Sequence, residues 1–268
     1  MPPVRRLLPA VALPIVLVLS GCGNDDGSDR VDPAQLDAVE APELGACRDL
    51  EPGDVEKSSN ATKTVDCAET HTAETYAVGP LPATYDEADY DDDGLAQFAY
   101  ERCSGQFEKF LGADESLVMR TVVSWAWFRP SEKAWDKGAR WYRCDLVGGG
   151  EQSKEYVDLP ETAKGLLTGR PEDKWMVCAE GPTVVGEVKV PCSEKHNWRA
   201  VTTIKVGTDD ESYPGDRLVE VKTRDFCSDS VGAWMNYPVD YEYAYTWFHK
   251  AEWDAGNRRS ICWARTPR

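Results

Sequence analysis

WFRPSEKAWDKGARWYRC, residues Trp127 to Cys144, is a stretch this chain writes twice. Its second form is WFHKAEWDAGNRRSIC, Trp247 to Cys262. Both open on Trp-Phe and both carry Trp-Asp-x-Gly-x-Arg. Both reach a Cys nine residues after the second Trp, 135 to 144 and 253 to 262. A period of this size marks a duplicated structural unit. Gly138 and Gly256 predict a tight turn, since Gly alone adopts positive φ without cost. Arg140 and Arg258 then lie where they can clamp a carboxylate or stack on the face of Trp135 or Trp253.

The cysteines follow the same duplication. Eight fall in two sets of four: Cys47, Cys67, Cys103, Cys144 and Cys178, Cys192, Cys227, Cys262. The intervals agree closely (36 and 35, then 41 and 35), and only the first differs much, 20 against 14. Four cysteines allow three pairings, and spacing does not choose among them. The expectation is neighbouring pairs: 47 with 67, 103 with 144, 178 with 192, 227 with 262. Each closed loop would contribute about 3 kcal/mol on the chain-entropy account. Zinc fails on spacing, because no C-x-x-C occurs.

Around these cysteines, Thr62 to Gly79 and Glu187 to Gly207 alternate and are rich in β-branched residues, which predicts strand pairs. Both contain Val-x-Cys-x-Glu-x-His, ending at His71 and His196. A Cys-His dyad or metal pair needs a free thiolate, so each His is read as the anchor of a strand turn. Leu95 to Leu111 has helical spacing with Cys103 on the buried face and Asp93 as its cap. The matching helix starts near Asp216 and reads as shorter and less amphipathic. Aromatic strands follow at 121–128 and 241–248, and closing strands at 140–147 and 258–265. The fold class is therefore α+β: two tandem disulfide-stapled repeats, 44–147 and 174–265, each an antiparallel sheet with one helix. Residues 148–173 read as a linker with a short helix at 161–167.

The amino terminus reads as an address. Arg5 and Arg6 precede an apolar run, Leu7 to Leu19, too short for a comfortable membrane span. Leu19-Ser20-Gly21-Cys22 resembles the lipobox of bacterial lipoproteins. That resemblance implies a signal peptide at 1–21 and a diacylglyceryl group on the Cys22 sulfur, with the protein held on the outer face of the cytoplasmic membrane. Residues 22–43 are acidic and punctuated by Gly and Pro, and read as a disordered tether reaching roughly 25 Å.

The chain carries a net charge of −17 over 268 residues. Without residues 1–21 the balance is 28 basic against 47 acidic residues, or −19. Such a surface repels phosphate, so nucleic acid is not an expected partner.

The combination of Val-x-Cys-x-x-x-His, a Cys-bearing helix, and Trp-x-x-Gly-x-Arg before a final Cys resembles the septum-formation domain of actinobacterial envelope proteins. Thr70 and Lys195 stand where members of that family often have Pro. The resemblance implies an exported or membrane-attached protein with a role in septum formation, and transfers no catalytic residue.

No H-E-x-x-H, G-x-S-x-G or phosphate-cradling loop occurs, and no motif implies a cofactor. The expected protein is non-enzymatic, acting through a division or envelope protein or through cell-wall polymer. A cell-wall hydrolase using paired carboxylates is the remote alternative. Trp125, Trp127, Trp141 and Trp247 are candidates for an aromatic groove that would bind glycan, although their period-two spacing favours core packing. Asp89, Asp91, Asp93 and Gly94 match half of a calcium loop, but Tyr100 stands where its bidentate Glu belongs, so an incidental acidic loop is the favoured reading.

Overall fold

A computed structural model describes residues 30–267. The first sheet contains β1 (Cys47–Arg48), β2 (Thr64–Val65), β3 (Ala73–Pro80), β4 (Ser124–Phe128) and β5 (Trp141–Val147). Between β3 and β4 run α1 (Gly94–Leu111) and α2 (Glu115–Val118), and α3 (Glu132–Asp136) precedes β5. The second sheet contains β6 (Val177–Glu180), β7 (Val188–Pro191), β8 (Trp198–Lys205), β9 (Tyr243–Thr246) and β10 (Arg259–Arg265). It carries α4 (Asp216–Trp234) and α5 (Lys250–Ala255). The strand orders are β2-β1-β3-β5-β4 and β7-β6-β8-β10-β9, the same topology twice. All pairings are antiparallel.

The duplication extends to an irregularity. The β3–β5 ladder skips Tyr76, and the β10–β8 ladder skips Val201. With His71 aligned on His196, these are the same position. A bulge turns one side chain out of register. Both side chains enter the helix-side core, Tyr76 against Phe107 and Val201 beside Cys227.

The two long helices bury matching stripes at every fourth residue: Leu95, Ala99, Cys103, Phe107 and Leu111 on α1, and Val219, Thr223, Cys227 and Val231 on α4. Burial of each large apolar side chain contributes about 2 kcal/mol. Two expectations about the helices change. Asp93 stands at the N-cap position of α1, but its side chain does not cap the helix. It adopts helical φ/ψ without a capping bond, and the Asp92 carboxylate instead accepts the Gly94 N–H at 2.8 Å. Nor is α4 the shorter helix, at 19 residues against 18. Leu218, Phe226 and Trp234 are exposed on its outer side, and this blurs the sequence pattern.

The sulfurs pair as neighbours: Cys47–Cys67, Cys103–Cys144, Cys178–Cys192 and Cys227–Cys262. In each repeat the first bridge joins a strand (β1 or β6) to the turn that follows its neighbour (β2 or β7), and the second fastens the helix to the closing strand.

The sheet faces turned away from the helices are covered differently. In the first repeat this face holds Arg48, Thr75, Arg143 and Asp145, all essentially without exposure. Their counterparts by position in the second are Ala179, Ala200, Ile261 and Trp263. The charged set lies beneath the loop between Cys47 and Cys67, six residues longer than its counterpart (20 against 14). The apolar set packs into the core cluster that also holds residues of the first repeat. Further bonds join the repeats: Val177 N–H to Arg120 O at 2.9 Å, Val122 N–H to Trp175 O at 3.0 Å, and Arg259 to Glu115.

Residues 148–173 are no loose linker. Leu159 N–H donates to His71 O, Leu167 N–H to Leu111 O, and Ala163 and Leu167 are buried. The Glu74 carboxylate on β3 accepts from Ala163 N–H at 2.7 Å and Thr162 Oγ1 at 2.9 Å. Residues 161–167 form a turn at 164–167 rather than the expected helix, with the Ala163, Gly165 and Leu167 N–H groups donating to the first repeat. The tether expectation is corrected in the same way over 30–43. Arg30 pairs with Glu51 and Asp54, each at 3.0 Å, Val31 bridges to Thr62, and Asp37 accepts from Ser131 Oγ at 2.7 Å. Local composition is acidic, but Arg30 and Asp37 find partners on the first repeat. The expected signal peptide, Cys22 and residues 23–29 lie outside the described residues. Among the described residues no helix is long and apolar enough to cross a membrane.

Candidate functional site

The repeated Trp-Asp-x-Gly-x-Arg segments form short helices, α3 and α5, closed by Gly138 (φ 93°) and Gly256 (φ 114°). Each Arg folds back over its own Trp. The Arg140 guanidinium lies 3.9 Å from the Trp135 ring and that of Arg258 3.6 Å from Trp253. Each also donates to the carbonyl of that Trp. Trp135 and Trp253 are buried, so these residues staple the turn and offer no groove.

The two repeated histidines, His71 and His196, are equally internal. Nδ1 of His71 donates to Glu69 O and Nδ1 of His196 to Glu194 O, both at 2.8 Å. Each closes its own turn. Asp89, Asp91 and Asp93 are exposed along the segment before α1. Among the described residues no three His, Cys, Asp or Glu gather as a metal ion would require.

Of the four tryptophans considered for a groove, Trp141 is buried against Ala134 and Ala139. Trp247 packs with the Val206, Val219, Phe248 and Trp253 cluster of the second repeat, 4.0 Å from the His249 ring. Trp125 and Trp127 remain, both half-buried on the outermost strand of the first sheet. They open onto a cleft of about 520 Å³.

The cleft exists because of two features that sequence reading did not connect. One wall is Pro52 to Ser58, within the longer Cys47–Cys67 loop, and the other is Gly150, Glu151 and Tyr156 of the joining segment. Gly148 and Gly149 allow that second wall to fold back. A Cβ on Gly148 would stand 2.0 Å from Val157 O, and one on Gly149 2.3 Å from the Tyr156 ring. Its floor is β4 with Val147, and the Arg129 guanidinium sits 5.8 Å from the Trp127 ring at one end. Acidic charge dominates the rim. Burial, with Asp54 and Glu56 nearby, pushes the Tyr156 hydroxyl up to about 12.

A second charged cluster went unread in the sequence. Arg48 donates to Thr75 Oγ1 at 2.8 Å, Thr75 to Asp145 Oδ1 at 2.7 Å, and Arg143 meets Asp145 Oδ2 at 2.9 Å. The signal was present in WYRCDLV, where alternation puts Arg143 and Asp145 on the face opposite Cys144. With no exposure it can meet no substrate, and it acts as the polar core beneath its loop.

Fold and site together define a duplicated, disulfide-stapled α+β protein with one walled cleft beside an edge strand. Its family follows from comparison with known proteins. The chain belongs to the septum formation family, whose model matches residues 44–262 in a single span across both sheets. No curated protein and no solved structure matches the chain.

Proposed function

We propose that this protein is a non-enzymatic lipoprotein of the outer face of the cytoplasmic membrane, serving septum formation by binding a protein or cell-wall partner at the β4 cleft. Family membership carries the reading, since it supports a role related to septum formation at the envelope. The sulfurs support export, because four disulfides persist in an oxidising compartment. The sequence before Gly23 supports a lipid on Cys22, and a site with several acyl chains holds a protein stably. Cys22→Ala should move the protein from the membrane fraction to the soluble fraction. Retention in the membrane would overturn the lipid anchor.

A glycan-binding reading stands second, favoured by the half-exposed Trp125 and Trp127 at the cleft. Titration of the purified protein with peptidoglycan fragments, read by calorimetry, separates the two. Saturable binding of the saccharide portion supports the glycan.

A further inference from the structure

Strand alternation determines where the main chain of β4 points. Leu81 N–H donates to Arg140 O, and the same ladder pairs Gly79 with Tyr142. The main chain of Tyr142 therefore faces β3, and that of Arg143 and Asp145 faces β4. Their partners Phe128 and Ala126 face back toward β5. Trp125 and Trp127 then present N–H and C=O outward. Arg129, of the same parity, confirms the direction, since its N–H donates outward to Ser58 O at 2.9 Å.

That contact closes one end of the edge, and the Ser124 hydroxyl bond to Gly149 O closes the other. Between them the main-chain N–H and C=O of Trp125 and Trp127 have no partner among the described residues. An open strand edge is a template for one more strand.

We propose that the β4 edge, between Ser58 and Gly149, takes up an extended basic peptide through main-chain hydrogen bonds to Trp125 and Trp127. This rests on the reading of the cleft as the binding site. Residues 52–58 and 150–156 line the cleft on either side of that edge. Glu56 and Glu151 on the rim outnumber Lys57, in a chain of net charge −17, so the complementary strand is cationic. Val55 and Tyr156 offer an apolar seat for alternate side chains. The occupant is thus a strand alternating basic and apolar residues.

The probe is a fluorescein-labelled, capped peptide Lys-Val-Lys-Val-Lys-Val-Lys, followed by anisotropy with the wild-type protein. Two derivatives carry N-methyl groups on every Val or on every Lys. In a strand, alternate N–H groups face one neighbour, so one derivative loses the bonds to β4 and the other keeps them. One should bind at least tenfold more weakly than the parent and the other within about twofold. Glu56→Lys with Glu151→Lys should weaken the parent peptide several-fold. Equal binding by both derivatives, equal loss by both, or no saturation of the parent overturns strand addition. Saccharide binding without peptide binding would leave the cleft a binding site and remove only its proposed occupant.

Discussion

Asp145→Asn tests the buried charge cluster that supports the first sheet. One carboxylate there faces two guanidiniums, Arg143 and Arg48, none of the three with measurable exposure. Burial pulls the Arg143 guanidinium down to about 10, while Asp145 draws it upward, and Arg48 is lowered for the same reason. With charge centres about 4 Å apart and an effective dielectric of about 20, the lost attraction is roughly 4 kcal/mol. Breaking one partner out of a buried pair typically costs about 3–5 kcal/mol. That is a large share of a domain stability of about 5–15 kcal/mol. Urea unfolding followed by tryptophan fluorescence should show a loss of about 3 kcal/mol or more. Asp254→Asn, at the exposed pair with Lys250, should cost under about 0.5 kcal/mol. Replacing Arg48, Arg143 and Asp145 together by Met, Met and Leu should recover most of the loss, because no charge is then left alone. A loss below about 1 kcal/mol for Asp145→Asn would refute the reasoning, since the 49–63 loop would then be admitting water to the guanidiniums.

Four further outcomes are expected. Gly138→Ala should cost about 1–2 kcal/mol in thermal unfolding, the strain of positive φ alone, because nothing lies near its Cβ. Gly256→Ala should cost about 1–3 kcal/mol more, since its Cβ would stand 2.4 Å from the Tyr100 ring across the boundary between repeats. Glu74→Ala removes the acceptor of two bonds to residues 162–163, and should cost about 3 kcal/mol while exposing 158–168 to limited proteolysis. Burial holds the Lys189 ammonium down at about 8 against an ordinary 10.5. Unfolded Lys189 therefore binds more protons between those values, and its own contribution to stability should rise from pH 8 to 10.5. That gain should be absent in Lys189→Met, as denaturant midpoints across the range would show.

Much of the fold was legible because duplication writes local chemistry twice. The Cys103 stripe repeats every fourth residue, and Val-x-Cys-x-Glu-x-His marks the same turn in each unit. The Cys227 stripe, by contrast, was blurred by exposed Leu218, Phe226 and Trp234. The N-cap position of α1 was read as Asp93, but the carboxylate that accepts at the helix start is that of Asp92, since neighbouring Asp residues are alike until the backbone chooses. The candidate groove was partly legible. Alternation favoured core packing for all four tryptophans. It could not tell Trp125 and Trp127, which pack against the core yet reach the cleft, from Trp141, whose burial depends on Ala134 and Ala139 of a neighbouring turn.

While the pairing of the sulfurs was settled by the fold, the sequence by itself determined the repeated unit, its main strands and its two long helices. Those properties depend on periodicity and on residues close along the chain. Only the tertiary structure decided that the first repeat covers its sheet with a loop over charges while the second covers its sheet with the first repeat. It alone folded 148–157 back to wall the cleft. The reason is physical: a strand carries its alternation locally, but what shields each face, and which edge stays open, depends on segments distant along the chain.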